Sequence, residues 1–511
     1  MRPTARTERG LILLMMVAGA CFAEYRIPTA PRKHESGRKA AVASPAGLAI
    51  STSGGKSASQ PSAGDISRPK REKHGGLSTQ ACAFFIFKLV VGSSVFCLPG
   101  AASGTGLATA VAMAGIFAML SGYCFFLVGR SCDDCGAVSF QQLWERSGPP
   151  LRLPRQSLSW VVLAMAFGTC LQFSISLGAS LESIVKHQLL ERGLGFADIL
   201  PGDARRLATL LVTVVGILPL VSLPTLESLK FTTMLGSYSF LFAASSVVLR
   251  ALDGTYEKGG KYFDVLASAP SGGVSSSSVS SSPWRASWAT VTLLASLTTA
   301  FEGHCDPPRY LLGLKPGERP GQRLARFKQA TFGAFAAAGL MYALVIAAGR
   351  KTFGERGAGD FLLAAYAPGD GLMRAAQLLT ALNMLCGYPL YFDALRKAVL
   401  NLAPRKKAAS GGRDAADLLP FPWQMALLAA ITFLATYDGI DLLFVMSVRG
   451  ALLGSFILYI LPPALSLAVN KLQFRQPPLA KPEMVWLRSL LGYGVGALVL
   501  ATAVTTGLTG A

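Results

Sequence analysis

The sequence predicts an all-α membrane protein of about eleven transmembrane helices, and three observations predict it. From residue 79 to residue 508 the chain is a succession of long apolar segments. Only 15% of its 511 residues are charged and 51% are hydrophobic, whereas soluble domains carry roughly 25% charge. The first and sixth apolar segments also carry helix-breaking residues in corresponding places. A soluble chain of this length would hold about three domains, but the apolar segments leave no stretch for a separate soluble core. The net charge of +20 does not imply a nucleic-acid partner. The Lys and Arg residues sit in short loops and in the N-terminal tail, as membrane topology requires.

The chain begins with a different kind of material. Residues 1–10 carry three Arg, and Leu11 to Ala23 form a short apolar run ending in small residues. This is the shape of a secretory signal peptide, too short to span a bilayer. Residues 26–78 are rich in Ser, Ala, Pro, Lys and Arg and poor in acids, a composition that buries too little surface to fold. Residues 1–78 are therefore expected to be a targeting and disordered segment. A signal followed by a transit-like stretch resembles a two-part plastid address. The other reading is a cytosolic tail of an endomembrane or plasma-membrane protein.

The expected spans are 79–101, 106–129, 157–184, 206–222, 229–250, 287–310, 329–349, 371–394, 422–437, 440–468 and 485–508, since about 20 apolar residues cross the hydrocarbon core. A Ser- and Gly-rich linker, Ser268 to Ser282, joins the fifth to the sixth. Loop charge sets the orientation. Arg68, Lys70, Arg71, Lys73, Arg130, Arg146, Arg152, Arg155, Lys315, Arg323, Arg326, Lys328, Arg396, Arg405, Lys471 and Lys481 fall on the side of the N-terminal tail. The other face has far fewer, and the C-terminus lies on that face.

The first span reads AFFIFKLVVGSSVFCLPGAASGTG and the sixth TVTLLASLTTAFEGHCDPPRY. Gly92, Pro99, Gly100, Gly104 and Gly106 interrupt the one, and Gly303, Pro307 and Pro308 the other. Lipid offers no hydrogen-bond partner, so open backbone at membrane depth is tolerated only where it lines a protein cavity or meets a ligand. Broken first and sixth helices point to a secondary carrier with its substrate near the bilayer midplane.

Five segments taken in order resemble the amino acid/auxin permease family, over nearly all of 79–508. VVGSSVFCLPGAASGTG is similar to its Gly-rich first-helix motif, and CGAVSFQQLWERSG to the loop after its second helix. AFEGHCDPPRYLLGLK resembles its sixth helix, TFGERGAGDFLL the glycine-acid turn after the seventh, and LNMLCGYPLYFDALRKAVLNL its eighth. The resemblance implies a LeuT-like fold of two inverted five-helix repeats, helices 1–5 at 79–250 and 6–10 at 287–468, plus an eleventh at 485–508. It also implies an amino acid as the transported solute. One departure is Ser94, where the family often has Gly; a hydroxyl there narrows the cavity or donates a hydrogen bond.

The candidate site follows from the breaks. Backbone N–H groups at the restart of a broken helix, with the positive end of its dipole, suit an α-carboxylate, which assigns Gly92, Ser93, Ser94 and Val95. The α-ammonium needs carbonyl oxygens, which Thr299, Ala300 and Phe301 supply. Glu302 and His304, ionisable at membrane depth, are candidates for proton coupling. Thr380 and Asn383 are candidates for a sodium site, because hard cations take oxygen ligands. No other cofactor is expected, and the driving ion is H+ or Na+. Gln172, Ser174 and Ser176 either face the cavity or join helices. Gly492 and Gly496 form a GxxxG face for packing or dimerisation. Cys132 and Cys135, a lone CxxC, are poor evidence for zinc.

No phosphate-binding loop, dinucleotide motif or hydrolase elbow is present. The chain is expected not to be an enzyme, but an amino-acid carrier working by alternating access. The alternatives are an amino-acid sensor on the same fold and, from another class, a membrane-embedded acyl transferase using His304 with Asp306.

Overall fold

A computed structural model of the chain describes residues 77–148, 156–191, 204–222, 230–263, 283–284, 289–315, 321–354, 359–402, 420–437, 440–472 and 478–510. These all belong to one compact unit. The expected signal peptide, all of the basic tail but Leu77 and Ser78, and the Ser268–Ser282 linker lie outside the described residues.

Each of the eleven expected spans coincides with a helix or a broken helix. The first is α1 (Thr79–Val90), a 3₁₀ turn (Ser93–Cys97) and α2 (Leu98–Ala101). Then come α3 (Leu107–Cys135), the short α4 (Phe140–Arg146) and α5 (Ser157–Glu191). The fourth span is α6 (Ala204–Leu211), a π-helical stretch (Val212–Ile217) and α7 (Leu218–Val221); the fifth is α8 (Lys230–Leu252). The sixth comprises α9 (Ala289–Ala300) and α10 (Pro307–Gly313), followed by α11 (Gln322–Phe353) and α12 (Gly371–Leu402). The ninth is α13 (Phe421–Ala435). The tenth joins α14 (Leu442–Val448), two π-helical stretches (Arg449–Gly454 and Phe456–Ile460) and α15 (Leu461–Lys471). The last is α16 (Lys481–Gly510). Among the described residues, five helical stretches are each long and apolar enough to cross a membrane, and the α1–α2 pair, bent by 49°, makes a sixth.

Local chemistry explains the boundaries. Ser78 Oγ accepts from the Ala81 amide at 3.1 Å and starts α1. Asp441 does the same for α14, accepting from Phe444 N at 2.6 Å. Gly136, at φ 66°, ends α3 in the left-handed conformation that glycine adopts without penalty. The tenth span contains two π-helical stretches, a distortion common at functional sites. Pro462 and Pro463, which follow the second, have no N–H to give the carbonyls four residues back.

Helix α5 packs along α12, and α8 along both α12 and α11, while α11 also backs α1 and α3. Small residues bring α3 and α11 together, with Gly339 set directly against Ala118. The expected GxxxG face lies on the outside of the described bundle. Gly492 and Gly496 are exposed on α16, and Gly494 is the position packed against Tyr459. Cys132 and Cys135 are both buried at the end of α3.

The two ends of the bundle match the topology drawn from loop charge. At one end Leu77 forms a two-bond bridge with the residues after α10, Leu77 N to Gly313 O at 2.8 Å and Lys315 N to Leu77 O at 3.2 Å. The ion pairs Arg130–Glu483 (2.6 Å) and Arg323–Asp133 (2.8 Å) lie among loops assigned to the same side. At the other end Asp370, fully buried, takes both Nε and Nη2 of Arg250 at 2.8 Å. It also accepts from Tyr256 and from the amides of Leu372 and Met373 at the start of α12. Arg350 donates there to the carbonyls of Ala102 and Thr105, each at 3.0 Å, and holds the end of the first span.

Candidate functional site

Both expected breaks are present. Gly92 is extended (φ −129°, ψ −171°), and the helix restarts after it as the 3₁₀ turn. No backbone carbonyl among the described residues takes the amides of Gly92, Ser93 or Ser94, whereas Val95 N turns back to Gly92 O at 3.3 Å. Nothing lies within 4 Å of a Cβ placed on Gly92, so this glycine does not serve close helix packing. The Ser93 hydroxyl is buried, 2% exposed, and has no partner among the described residues. Buried polar atoms are normally satisfied, so this orphan in an open break makes Ser93 a candidate ligand contact.

In the sixth span α9 ends at Ala300 and the chain runs irregularly to Pro307. The three carbonyls expected to be free differ in fate. Thr299 O closes a turn with Glu302 N at 3.4 Å, and Ala300 O lies 2.9 Å from the hydroxyl of Tyr342. Phe301 O has no donor among the described residues. Tyr342, from α11, is also 3.0 Å from Val90 O, the last carbonyl of α1. One buried hydroxyl thus ties the ends of both broken helices to the same point.

The two breaks are joined a second time through side chains. Gln172 on α5 donates from Nε2 to Ser94 Oγ at 3.1 Å, and its Oε1 accepts from Arg449 Nη1 at 2.9 Å. Arg449 Nη1 also donates to Thr169 Oγ1 at 3.0 Å, and Nη2 to Glu302 Oε2 at 2.7 Å. The chain Ser94–Gln172–Arg449–Glu302 therefore crosses from the first break to the sixth by way of the third and tenth spans. Ser174 instead joins Tyr388 at 3.2 Å, a helix-to-helix bond, and Ser176 is buried without a partner among the described residues.

Arg449 is the residue that reading the sequence missed. The signal was present, since it is the one basic residue within 440–468, and a charge inside a span is functional by default. Its room comes from glycine. A Cβ on Gly168 would lie 2.9 Å from Arg449 Cδ, and one on Gly450 would run into the Ala295 carbonyl oxygen of α9.

The remaining expected residues separate. His304 is 1% exposed, and its Nε2 is 2.9 Å from the Ser121 carbonyl on α3, so that nitrogen carries the proton. Its Nδ1 has no partner among the described residues, and the ring meets Phe125 and Phe335 edge-on. Among the described residues no hydrogen bond joins His304 to Asp306, the pair of the acyl-transferase alternative. Thr380 on α12 is fully buried with an unpartnered hydroxyl, and Asn383 is partly exposed one turn on. The sixth-span break is not fully enclosed by protein: Glu302 is 24% exposed at its side chain, and Cys305 is exposed.

A known structure shares this architecture. The chain is similar to an inward-facing conformation of Mhp1, at 12% identity over 88% of this chain and 95% of that one, with a TM-score of 0.51. It also aligns with Mhp1, a nucleobase-cation-symport-1 family transporter, in a closed conformation with bromovinylhydantoin bound, at 12% identity over 85% and 93%, TM-score 0.48. Another is MhsT in complex with L-phenylalanine, at 14% identity over 83% and 98%, TM-score 0.44. At 12% identity the likeness to the inward-facing Mhp1 structure is one of fold alone. No curated protein matches the chain. The apolar helices and this fold describe a multi-pass integral membrane protein. The family described as transmembrane amino acid transporter protein matches residues 75–505, and with both helix breaks, its place in order and nearly the whole bundle covered, the chain belongs to that family.

Proposed function

We propose that this protein carries amino acids across its membrane by alternating access, as a secondary carrier and not as an enzyme, driven by a proton or a sodium gradient. The observation that carries this reading is the pair of open helix ends brought together at Tyr342, with a buried, unpartnered serine hydroxyl at one of them. The unbonded amides of Ser93 and Ser94 suit the α-carboxylate of an amino acid, since open backbone in a membrane is kept where a solute completes it. The tie at Tyr342 and the chain through Arg449 both cross between the parts that alternating access would have to move. They suit a site that closes around its cargo better than a rigid catalytic cleft.

For the driving ion, His304 is the proton candidate the geometry favours. One ring nitrogen is committed to the Ser121 carbonyl and the other keeps an open lone pair, while Glu302 is already paired with Arg449. Thr380 and Asn383 remain the sodium candidates, with the buried hydroxyl of Thr380 as the supporting feature.

The test is counterflow in proteoliposomes across a panel of labelled amino acids, with sodium and pH varied independently. A carrier exchanges label, a sensor binds without exchange, and an enzyme converts the compound. Exchange that depends on pH but not on sodium points to a proton as the driving ion, and the converse to sodium. Binding with no exchange under any gradient would reject the carrier in favour of a sensor.

A further inference from the structure

We infer that Glu302 is the anchor for the substrate's ammonium group, and that Arg449 is the positioning residue that holds this carboxylate charged and aimed. The inference rests on the carrier reading and deepens it, because it names the group that distinguishes an amino acid from a simple carboxylic acid.

Glu302 stands immediately after the broken end of α9, with only Phe301 between them. One carboxylate oxygen, Oε2, meets Arg449 at 2.7 Å. The other, Oε1, has no donor among the described residues, and the side chain is 24% exposed. An acceptor with full negative charge therefore borders the accessible break. The backbone acceptors nearby are largely engaged, Thr299 O by the Glu302 amide and Ala300 O by Tyr342. Hydrogen bonds to an ionised acceptor are also shorter and about twice as strong as those to a neutral carbonyl.

Arg449 is built in rather than mobile. Its Nη1 is shared between Thr169 and Gln172, its stem crosses Gly168, and only 7% of its side chain is exposed. A lone carboxylate at membrane depth is costly, and removing its partner would leave a buried charge uncompensated. With the guanidinium behind and the carboxylate in front, the surface that a substrate meets is negative. Ser93 and Ser94 then take the carboxylate at the first break and Glu302 the ammonium at the sixth, so the site spans both ends of a zwitterion.

The experiment measures ligand binding to the full-length protein in detergent by thermal shift, which needs no turnover. The probes are the twenty L-amino acids, with the tightest of them then compared against its deamino acid and its N-acetyl derivative. Wild type should prefer the free amino acid. Glu302→Gln should reduce that preference by about tenfold to a hundredfold, the value of a hydrogen bond to a charged group, and Glu302→Asp should restore part of it. Glu302→Gln leaves Arg449 unpaired and can misfold, so the double variant Glu302→Gln/Arg449→Gln, which leaves no lone charge, must show the same loss. Preference for the ammonium retained in the double variant overturns the assignment. A wild type that binds the amino acid and its deamino acid equally well also overturns it and leaves the carrier reading standing. A wild type that binds no amino acid overturns the carrier reading, and this inference with it.

Discussion

The hydroxyl of Tyr342 lies 2.9 Å from the carbonyl oxygen of Ala300, and the same atom is 3.0 Å from the carbonyl of Val90. A hydroxyl has one proton and two carbonyls compete for it, so the tie is shared and readily redistributed when either half-helix moves. Tyr342→Phe keeps the ring, its packing on Phe301 at 4.8 Å included, and leaves both buried carbonyls without a donor. Such a loss costs about 1–3 kcal/mol. The variant should show a lower thermal unfolding temperature in detergent and a reduced rate of counterflow. A variant as stable and as active as wild type would show that the hydroxyl ties nothing.

Gly168 and Gly450 make room for the charged chain between the breaks. A methyl group at Gly450 collides with the Ala295 carbonyl, which is backbone and cannot rotate away. Gly450→Ala should therefore cost about 1–3 kcal/mol, the usual range for overpacking, visible as lost thermal stability. Gly168→Ala meets only the flexible stem of Arg449, at 2.9 Å. It should fold normally and raise KM for the transported amino acid, since it displaces the guanidinium and not the helix. Equal stability losses from the two changes would contradict this division.

Cys305 offers a probe of access. Among the described cysteines it is the exposed one, Cys386 is intermediate and the rest are buried. A polar, membrane-impermeant thiol reagent should modify Cys305 in intact proteoliposomes of one orientation, and a saturating amino acid should slow the reaction. The Cys305→Ser variant serves as the blank. Labelling in that blank at the wild-type rate would place the reactive thiol elsewhere.

His304 separates structure from coupling. In His304→Gln the side-chain amide can still donate to the Ser121 carbonyl, as Nε2 does at 2.9 Å, but nothing remains to accept a proton. Counterflow, which needs no ion gradient, should survive within a few-fold. Uptake driven by a proton gradient, and its dependence on pH, should be lost. Proton-driven uptake persisting in this variant would remove His304 from the coupling reaction.

Much of this molecule was legible in its sequence. The spans, the two breaks and the loop-charge bias follow from local rules. A helix in lipid must be apolar and about 20 residues long, an open backbone there needs a reason, and positive loops stay on one side. Glycine and proline at 92, 99, 303 and 307 announce the breaks because their effect on the backbone acts within a turn. The same reasoning picks out Ser93 and Ser94 as candidate site residues.

Tertiary structure decided which groups meet across the breaks. That Gln172 reaches Ser94, that Arg449 reaches Glu302, and that His304 meets the Ser121 carbonyl depends on which faces of the third, tenth and second helices point inward. Periodicity does not fix that rotation in a membrane, where lipid and core are equally apolar and no hydrophobic stripe marks the inner face. The sequence by itself determined where the backbone opens; only packing determined that a partly buried ion pair and one tyrosine hydroxyl close the gap, because those partners lie 42 to 252 residues apart along the chain.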